Sequence, residues 1–294
     1  MQPVSEFELS AAQIASFDED GFVVVDQIVD PELVQRALGR FEPLFAGEFE
    51  TGLYPDEWNW KPGRDAPTLT RQICNGWKSD RDIARIVLRE DIGRACGVLG
   101  RWPGTRISQD NVLWKPMRGL PLGFHQDAAY DRWAVPTEWV SCWIALDPTT
   151  ADGGTLELVR GSHRWRLWDM IENFHGPDDP EFELRIAAQM ENSAIDKVAV
   201  EVPPGGGVFH SGRTWHGSGV NLADVPRRSV VAHCTTSEAR FSSDEVGYIY
   251  SRYKKFGSSE MDESYFPITW RHDGYRSPFL ADYLTEAVGW AGIA

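Results

Sequence analysis

From Arg106 onward the sequence abandons helical spacing and breaks into short apolar runs divided by turn signals. The runs are Ile107 to Leu113, Trp139 to Leu146, Leu156 to Val159, Val198 to Val202, Gly207 to His210 and Arg228 to Thr235. Ala151-Asp152-Gly153-Gly154 and Pro203-Pro204-Gly205-Gly206 separate them, and residues of these types favour chain reversal. Many short strands closed by Gly/Pro turns suggest a double-sheet jelly roll, a double-stranded β-helix of cupin-like shape. The expected class is mainly β with flanking α.

The flanking helices read as N-terminal. Ser10 followed by Gln13 is a capping-box pattern, and Gly21 ends the helix it opens. Phe22 to Val25 then reads as a buried strand. Asp30-Pro31 starts a second helix with Pro at its first position, and Leu33, Val34, Ala37, Leu38 and Phe41 recur at helical spacing. A third helix is expected from Asp80 to Leu99, with Ile83, Ile86, Val87 and Ile92 inward. Residues 48–78, rich in Trp, Pro and Gly, read as a long ordered loop. Trp168 to Asp196 is polar and interrupted by Pro, and reads as an insertion between strands of the kind that covers a site. The expected organisation is a single domain over 1–294. It has a helical part at about 1–100, a jelly-roll core at about 101–240 and a C-terminal extension at 241–294.

Within the strand region, His125-Gln126-Asp127 is followed about ninety residues later by His216. Residues two apart share one face of an extended strand, so His125 and Asp127 can reach one ion. Two imidazoles and one carboxylate are the ligand set that holds non-haem Fe(II) and leaves other positions open. His210, at the end of the Val208-Phe209-His210 run, is a rival for the distal place. His175, His233 and His272 have no supporting context. H-E-x-x-H is absent and no general base stands beside the triad, which disfavours a zinc hydrolase.

Composition narrows the partners. The net charge is -15, which argues against nucleic acid, since that needs a basic face. It also disfavours polyanions. Four scattered cysteines form no C-x-x-C pair, so free thiols in a reducing cytoplasm are expected. No signal peptide and no apolar run of membrane length is visible, and no membrane partner is expected. Nothing in the sequence fixes an oligomeric state.

Several pieces together resemble the phytanoyl-CoA dioxygenase-like family of Fe(II)/2-oxoglutarate oxygenases. They are Leu9-Ser10-Ala11-Ala12-Gln13-Ile14, Asp20-Gly21-Phe22-Val23-Val24-Val25, His125-Gln126-Asp127, Gly153-Gly154-Thr155, Arg160-Gly161-Ser162-His163, Trp215-His216-Gly217-Ser218-Gly219 and Pro226-Arg227-Arg228-Ser229. The resemblance covers most of the chain but not the C-terminal extension. It implies Fe(II), 2-oxoglutarate as cosubstrate and O2, with succinate and CO2 as co-products.

It further implies His125, Asp127 and His216 as the catalytic metal ligands, since the segment around His216 resembles the family's distal motif. Arg227, eleven residues after His216, is at the family spacing for the arginine that meets the far carboxylate of the oxoacid. Strand alternation lets only one of Arg227 and Arg228 face inward. Ser218 resembles the assisting hydroxyl, and Trp143 the aromatic that lines the cosubstrate pocket. His163 sits in a Gly-Ser-His turn that the family also carries, where it ties the loop. Halogenating relatives replace the carboxylate with a small residue. Asp127 is retained, so hydroxylation, desaturation, cyclisation or epoxidation is implied.

Around this set, Asn111, Lys115 and Arg71 are polar residues able to contact the oxoacid or a substrate. Tyr130 and Trp133 are candidate aromatic walls of a substrate pocket. Acidic charge and aromatic content tilt the substrate towards an uncharged or hydrophobic specialised metabolite. The alternative reading is a non-catalytic, cupin-like small-molecule-binding protein with a vestigial metal site.

Overall fold

Ser10 and Gln13 cap each other at the start of a helix over Ala11–Asp20, and Gly21 ends it in the left-handed conformation, at φ 84°. A Cβ there would stand 2.3 Å from Nδ1 of His163. Both the backbone and the neighbour therefore require glycine. Asp30 caps the second helix, Pro31–Ala46. The computed structural model describes residues 7–285 except Tyr248. Residues 1–6 of the expected helical part, Tyr248, and 286–294 of the expected extension lie outside the described residues.

The expected third helix is two, Arg81–Val87 and Glu90–Gly100. The chain opens to an extended conformation at Arg89, and Glu90 and Asp91 then supply the acidic first turn that suits a new helix start. The expected loop over 48–78 also needs correction. It contains strands Glu57–Trp58 and Arg71–Cys74, the latter paired along Gly104–Lys115. Its Trp and Pro content hid a short alternating run whose backbone hydrogen bonds go to the sheet.

The larger sheet runs in the order Phe22–Val25, Gly207–Ser211, Val140–Ala145, Arg227–Thr236, Gly104–Lys115, Arg71–Cys74, Glu57–Trp58, and Ile268–Arg271 also pairs Gly104–Lys115. The smaller sheet runs Leu122–His125, His216–Ser218, Glu157–Val159, Lys197–Ala199. The two face each other as a jelly roll and do not close into a barrel. The N-terminal helices brace the outer face of the larger sheet. There Phe41, Leu44, Ile83, Ile92 and Leu99 pack with Val112, Cys142, Ile144, Val230 and Ala232.

Alternation sends the odd-numbered residues of the same strands inward. Trp143, Val231 and Leu113 meet Leu156 and Leu158 of the smaller sheet. The register pairs Arg227 with Lys115, Ser229 with Leu113, Val231 with Asn111 and His233 with Gln109. It also pairs His233 with Ser141. Of these, Arg227, Leu113, Val231, Asn111, His233 and Gln109 form the floor of a cavity between the sheets.

Candidate active site

Pairing in the smaller sheet sets His216 directly opposite His125. Asp127 follows at once in a tight turn over Asp127–Ala129. Nδ1 of His125 is 2.9 Å from the Gly123 carbonyl, and Nδ1 of His216 is 2.9 Å from the Thr214 carbonyl. A proton on each Nδ1 leaves both Nε2 atoms as bases pointing inward, the arrangement that orients histidine metal ligands. Each Nε2 lies 3.4 Å from Oδ1 of Asp127. One donor atom from each of the three residues falls within 4.8 Å of the others. Burial and the His216 ring lower the pKa of His125, which keeps it a neutral ligand. Burial would raise Asp127, but the imidazoles of His216 and His233 outweigh it and hold the carboxyl well below its usual range.

The second oxygen of Asp127 is held from behind. Ser141 Oγ donates to Oδ2 at 2.9 Å, and His233 Nδ1 lies 2.7 Å from the same hydroxyl. Nε2 of His233 meets Asn111 at 2.9 Å. Asn111 Oδ1 accepts from Gln72 at 3.1 Å and Gln109 at 3.0 Å, and Gln109 accepts from the Tyr250 hydroxyl. This network fixes which carboxylate oxygen faces the histidines.

At the opposite end, Arg227 is buried and its guanidinium lies 5.6 Å from the Trp143 ring. It donates to Ser229 Oγ at 3.0 Å and the Gly154 carbonyl at 3.1 Å, while its buried Nε has no partner. Burial lowers it to about 10. Lys115 is buried beside it and donates to Ser218 Oγ at 2.7 Å. Burial, then the nearby Arg227, pulls Lys115 well below its usual value. Neither cation has an ion-pair partner among the described residues. Arg227, a desolvated cation at the cavity wall without a counter-charge, fits a carboxylate of an oxoacid. The hydroxyl that meets Arg227 is that of Ser229, while Ser218 serves Lys115.

The rest of the cavity combines sequence distant from the sheets. Met170, Phe174 and His175 come from the insertion, and Ile249 and Tyr250 from the C-terminal extension. Phe174 sets its ring against His125 at 4.7 Å between centroids. The insertion also holds a helix, Phe182–Met190, with Leu184, Ala187 and Ala188 packed among Phe124, Val159, Trp165 and Trp215. Tyr130 and Trp133 line the cavity, as do Asn111, Ser218 and Trp143. The wall around Asp131 pushes its carboxyl up to about 7, though part of its surface opens to the cavity.

Arg71 does not join the site. Alternation along Arg71–Cys74 turns Gln72 and Cys74 to the cavity and Arg71 away, between Trp60 at 3.9 Å and Trp114 at 4.2 Å. His210, the rival ligand, sits beside the triad, its Nε2 3.9 Å from Oδ2 of Asp127 and its ring 4.5 Å from His216. It faces the carboxylate oxygen that Ser141 already holds. His163 ties its turn through its carbonyl, which accepts from Arg213. His233 and His175, which no sequence motif marks, both line the cavity. For His233 a signal existed, since 227, 229, 231 and 233 share one strand face.

The sequence model of the phytanoyl-CoA dioxygenase (PhyH) family matches residues 17–229. The probable alpha-ketoglutarate-dependent hypophosphite dioxygenase of Stutzerimonas stutzeri is 27% identical over 235 residues, covering 78% of this chain and 79% of the relative. The ectoine dioxygenase of Streptomyces coelicolor is 24% identical over 240 residues, covering 76% of each. Among solved structures, the epimerase SnoN in complex with Fe3+, alpha ketoglutarate and nogalamycin RO superposes with TM-score 0.67 at 20% identity, over 88% of this chain and 97% of that one. At that identity the likeness speaks for the jelly-roll fold. The family match spans well over half the chain, which therefore belongs to the phytanoyl-CoA dioxygenase family and is a non-haem Fe(II)/2-oxoglutarate-dependent dioxygenase.

Proposed function

We propose that His125, Asp127 and His216 hold the iron, that Arg227 and Trp143 hold 2-oxoglutarate, with Ser218 and Asn111 on the same cavity wall, and that the enzyme hydroxylates, desaturates or cyclises a small organic molecule. The observation that carries this reading is the convergence of three donor atoms within 4.8 Å on a cavity whose far end holds the unpaired cation Arg227. The donor set, two imidazoles and a carboxylate, suits Fe(II). Bound there with 2-oxoglutarate and O2, the iron supplies the oxidation of a substrate C–H bond, with succinate and CO2 released.

The protein's own contribution is positioning. Asp127 presents Oδ1 because Ser141 occupies Oδ2. Arg227 meets the far carboxylate of the cosubstrate, with its guanidinium fixed by Ser229 and Gly154. The Phe174 and Tyr130 rings pack edge-on against His125 and shield that side of the triad from water. We also propose that the described chain works as one domain, since Tyr250 of the C-terminal extension joins the cavity wall. A cytoplasmic setting suits the four buried free cysteines. No helix among the described residues is long and apolar enough to cross a membrane. The alternative, a vestigial binding protein, has no observation in its favour. The test is O2-dependent release of succinate from 2-oxoglutarate by the iron-loaded protein. The wild type should release it and His216→Ala should not.

A further inference from the structure

The cavity of about 460 Å³ has two ends of opposite chemistry. Along Gly104–Lys115 the inward side chains pass from Lys115 through Leu113 and Asn111 to Gln109, a run of about 20 Å. One end holds Arg227. The other is walled by Glu57, Asn59, Gln72, Cys74, Gln109 and Asp131. Among the described residues that line the cavity, Arg227 is the only lysine or arginine. The polar end therefore has carboxylates and amides but no lysine or arginine.

Neither of these carboxyl groups faces a lysine or arginine among the described residues, and Asp131, raised by burial to about 7, is in part protonated near neutral pH. Among the described residues, the Glu57 side chain meets only the Cys74 thiol, at 3.5 Å, and that of Asp131 only the Trp133 indole, at 3.0 Å. Neither has an ion-pair partner among the described residues, whereas nearby Asp56 is taken by Lys78 at 2.6 Å. Gln109 spends its amide on Asn111 and Tyr250, and Gln72 donates to Asn111, and the carboxyl groups are the strongest acceptors on this wall. The Trp133 and Tyr250 rings pack against each other at 4.4 Å and form the apolar backing of this wall.

We propose that this end receives a cationic, hydrogen-bond-donating group of the substrate, of the class of a protonated amine, paired with Glu57 and hydrogen-bonded by Asp131. The inference rests on the oxygenase reading above and names its substrate class. It replaces the uncharged or hydrophobic metabolite expected from composition. An anionic group at this end would face like charge on a partly desolvated wall, which gives selectivity by repulsion as well as by attraction. The apolar remainder of the substrate lies between this wall and the triad, against Tyr130 and Phe174.

Three probes that share one ring and differ in one group decide the matter: cyclohexylamine, cyclohexanol and cyclohexanecarboxylate. Each is titrated anaerobically into protein loaded with Fe(II) and 2-oxoglutarate, by calorimetry and by the perturbation of the charge-transfer band. The amine should bind about tenfold or more tighter than the carboxylate. Glu57→Gln should bring the amine down to the level of the alcohol, and Glu57→Lys should reverse the order. Glu57 is half-buried and its replacement leaves the core packing alone. A carboxylate that binds as well as the amine, an amine constant unchanged by Glu57→Gln, or failure of all three probes to bind would overturn the inference. Loss of the charge-transfer band itself in the wild type would instead reject the oxygenase reading.

Discussion

Ser141 Oγ donates to Oδ2 of Asp127 at 2.9 Å and leaves Oδ1 to face the Nε2 atoms of His125 and His216. Supporting hydrogen bonds of this kind typically account for about 10- to 100-fold in metal affinity. Ser141→Ala should therefore weaken Fe(II) binding by about tenfold or more. A competition titration against a chelator reads this directly. Unchanged affinity would show that Asp127 orients itself without help.

The choice of distal ligand has its own test. His216→Ala removes one of three ligands and should empty the site. His210→Ala removes a ring that packs on His216 but faces the oxygen already held by Ser141. It should cost stability, about 1–2 kcal/mol, and leave most of the iron affinity. Fe(II) titration of the two purified variants, with their melting temperatures, separates these outcomes. The reverse order would make His210 the ligand.

Arg227 and Arg228 are neighbours with opposite roles. Arg228 points outward and pairs with Asp147 at 2.7 Å, while Arg227 is buried at the cavity end. Removing one partner of a buried charge pair costs about 2–5 kcal/mol. Arg227→Ala should weaken 2-oxoglutarate binding by about thirtyfold or more and change iron affinity little. Arg228→Ala should leave cosubstrate binding nearly intact. Dissociation constants for 2-oxoglutarate in both variants provide the check. Damage from Arg228→Ala alone would mean that the strand register is off by one.

Stability should carry a signature of Asp110. Burial raises its carboxyl to about 7, against the backbone donors Trp77 and Gly76. The unfolded value is about 3.9, so between these values the native state binds more protons than the unfolded state. The contribution is therefore full below about pH 4 and is lost as pH rises through about 7. Asp110→Asn, which cannot titrate, should lose less stability between about pH 5 and about pH 8 than the wild type, by on the order of 2 kcal/mol. Urea unfolding at the two pH values measures the difference. Equal losses in both proteins would remove Asp110 as the cause.

The legible parts of this site were those written in local spacing. His125 and Asp127 stand two apart and carry a metal motif in plain sight. Turn clusters announced the jelly-roll strands, and the Ser10 and Asp30 caps announced the helices. Arg71 departs from its expected place because Trp and Pro conceal the short strand around it, and alternation turns it away from the cavity. His233 belongs to no motif, but counting by two from Arg227 reaches it. Tyr250 had no such signal. It meets Gln109 across 141 residues of sequence, a contact that only tertiary packing creates. The same holds for Glu57, whose chemistry depends on the strand pairing that sets it beside Cys74.

The central claim is that one cavity joins the His125, Asp127 and His216 triad to the cosubstrate arginine Arg227. Anaerobic titration of the wild-type protein with Fe(II) and 2-oxoglutarate tests it most directly. Simultaneous binding should produce a weak visible metal-to-ligand charge-transfer band that neither component gives alone and that His216→Ala eliminates. If both additions yield no band and no heat of binding, the site does not hold iron and oxoacid together and the account is wrong.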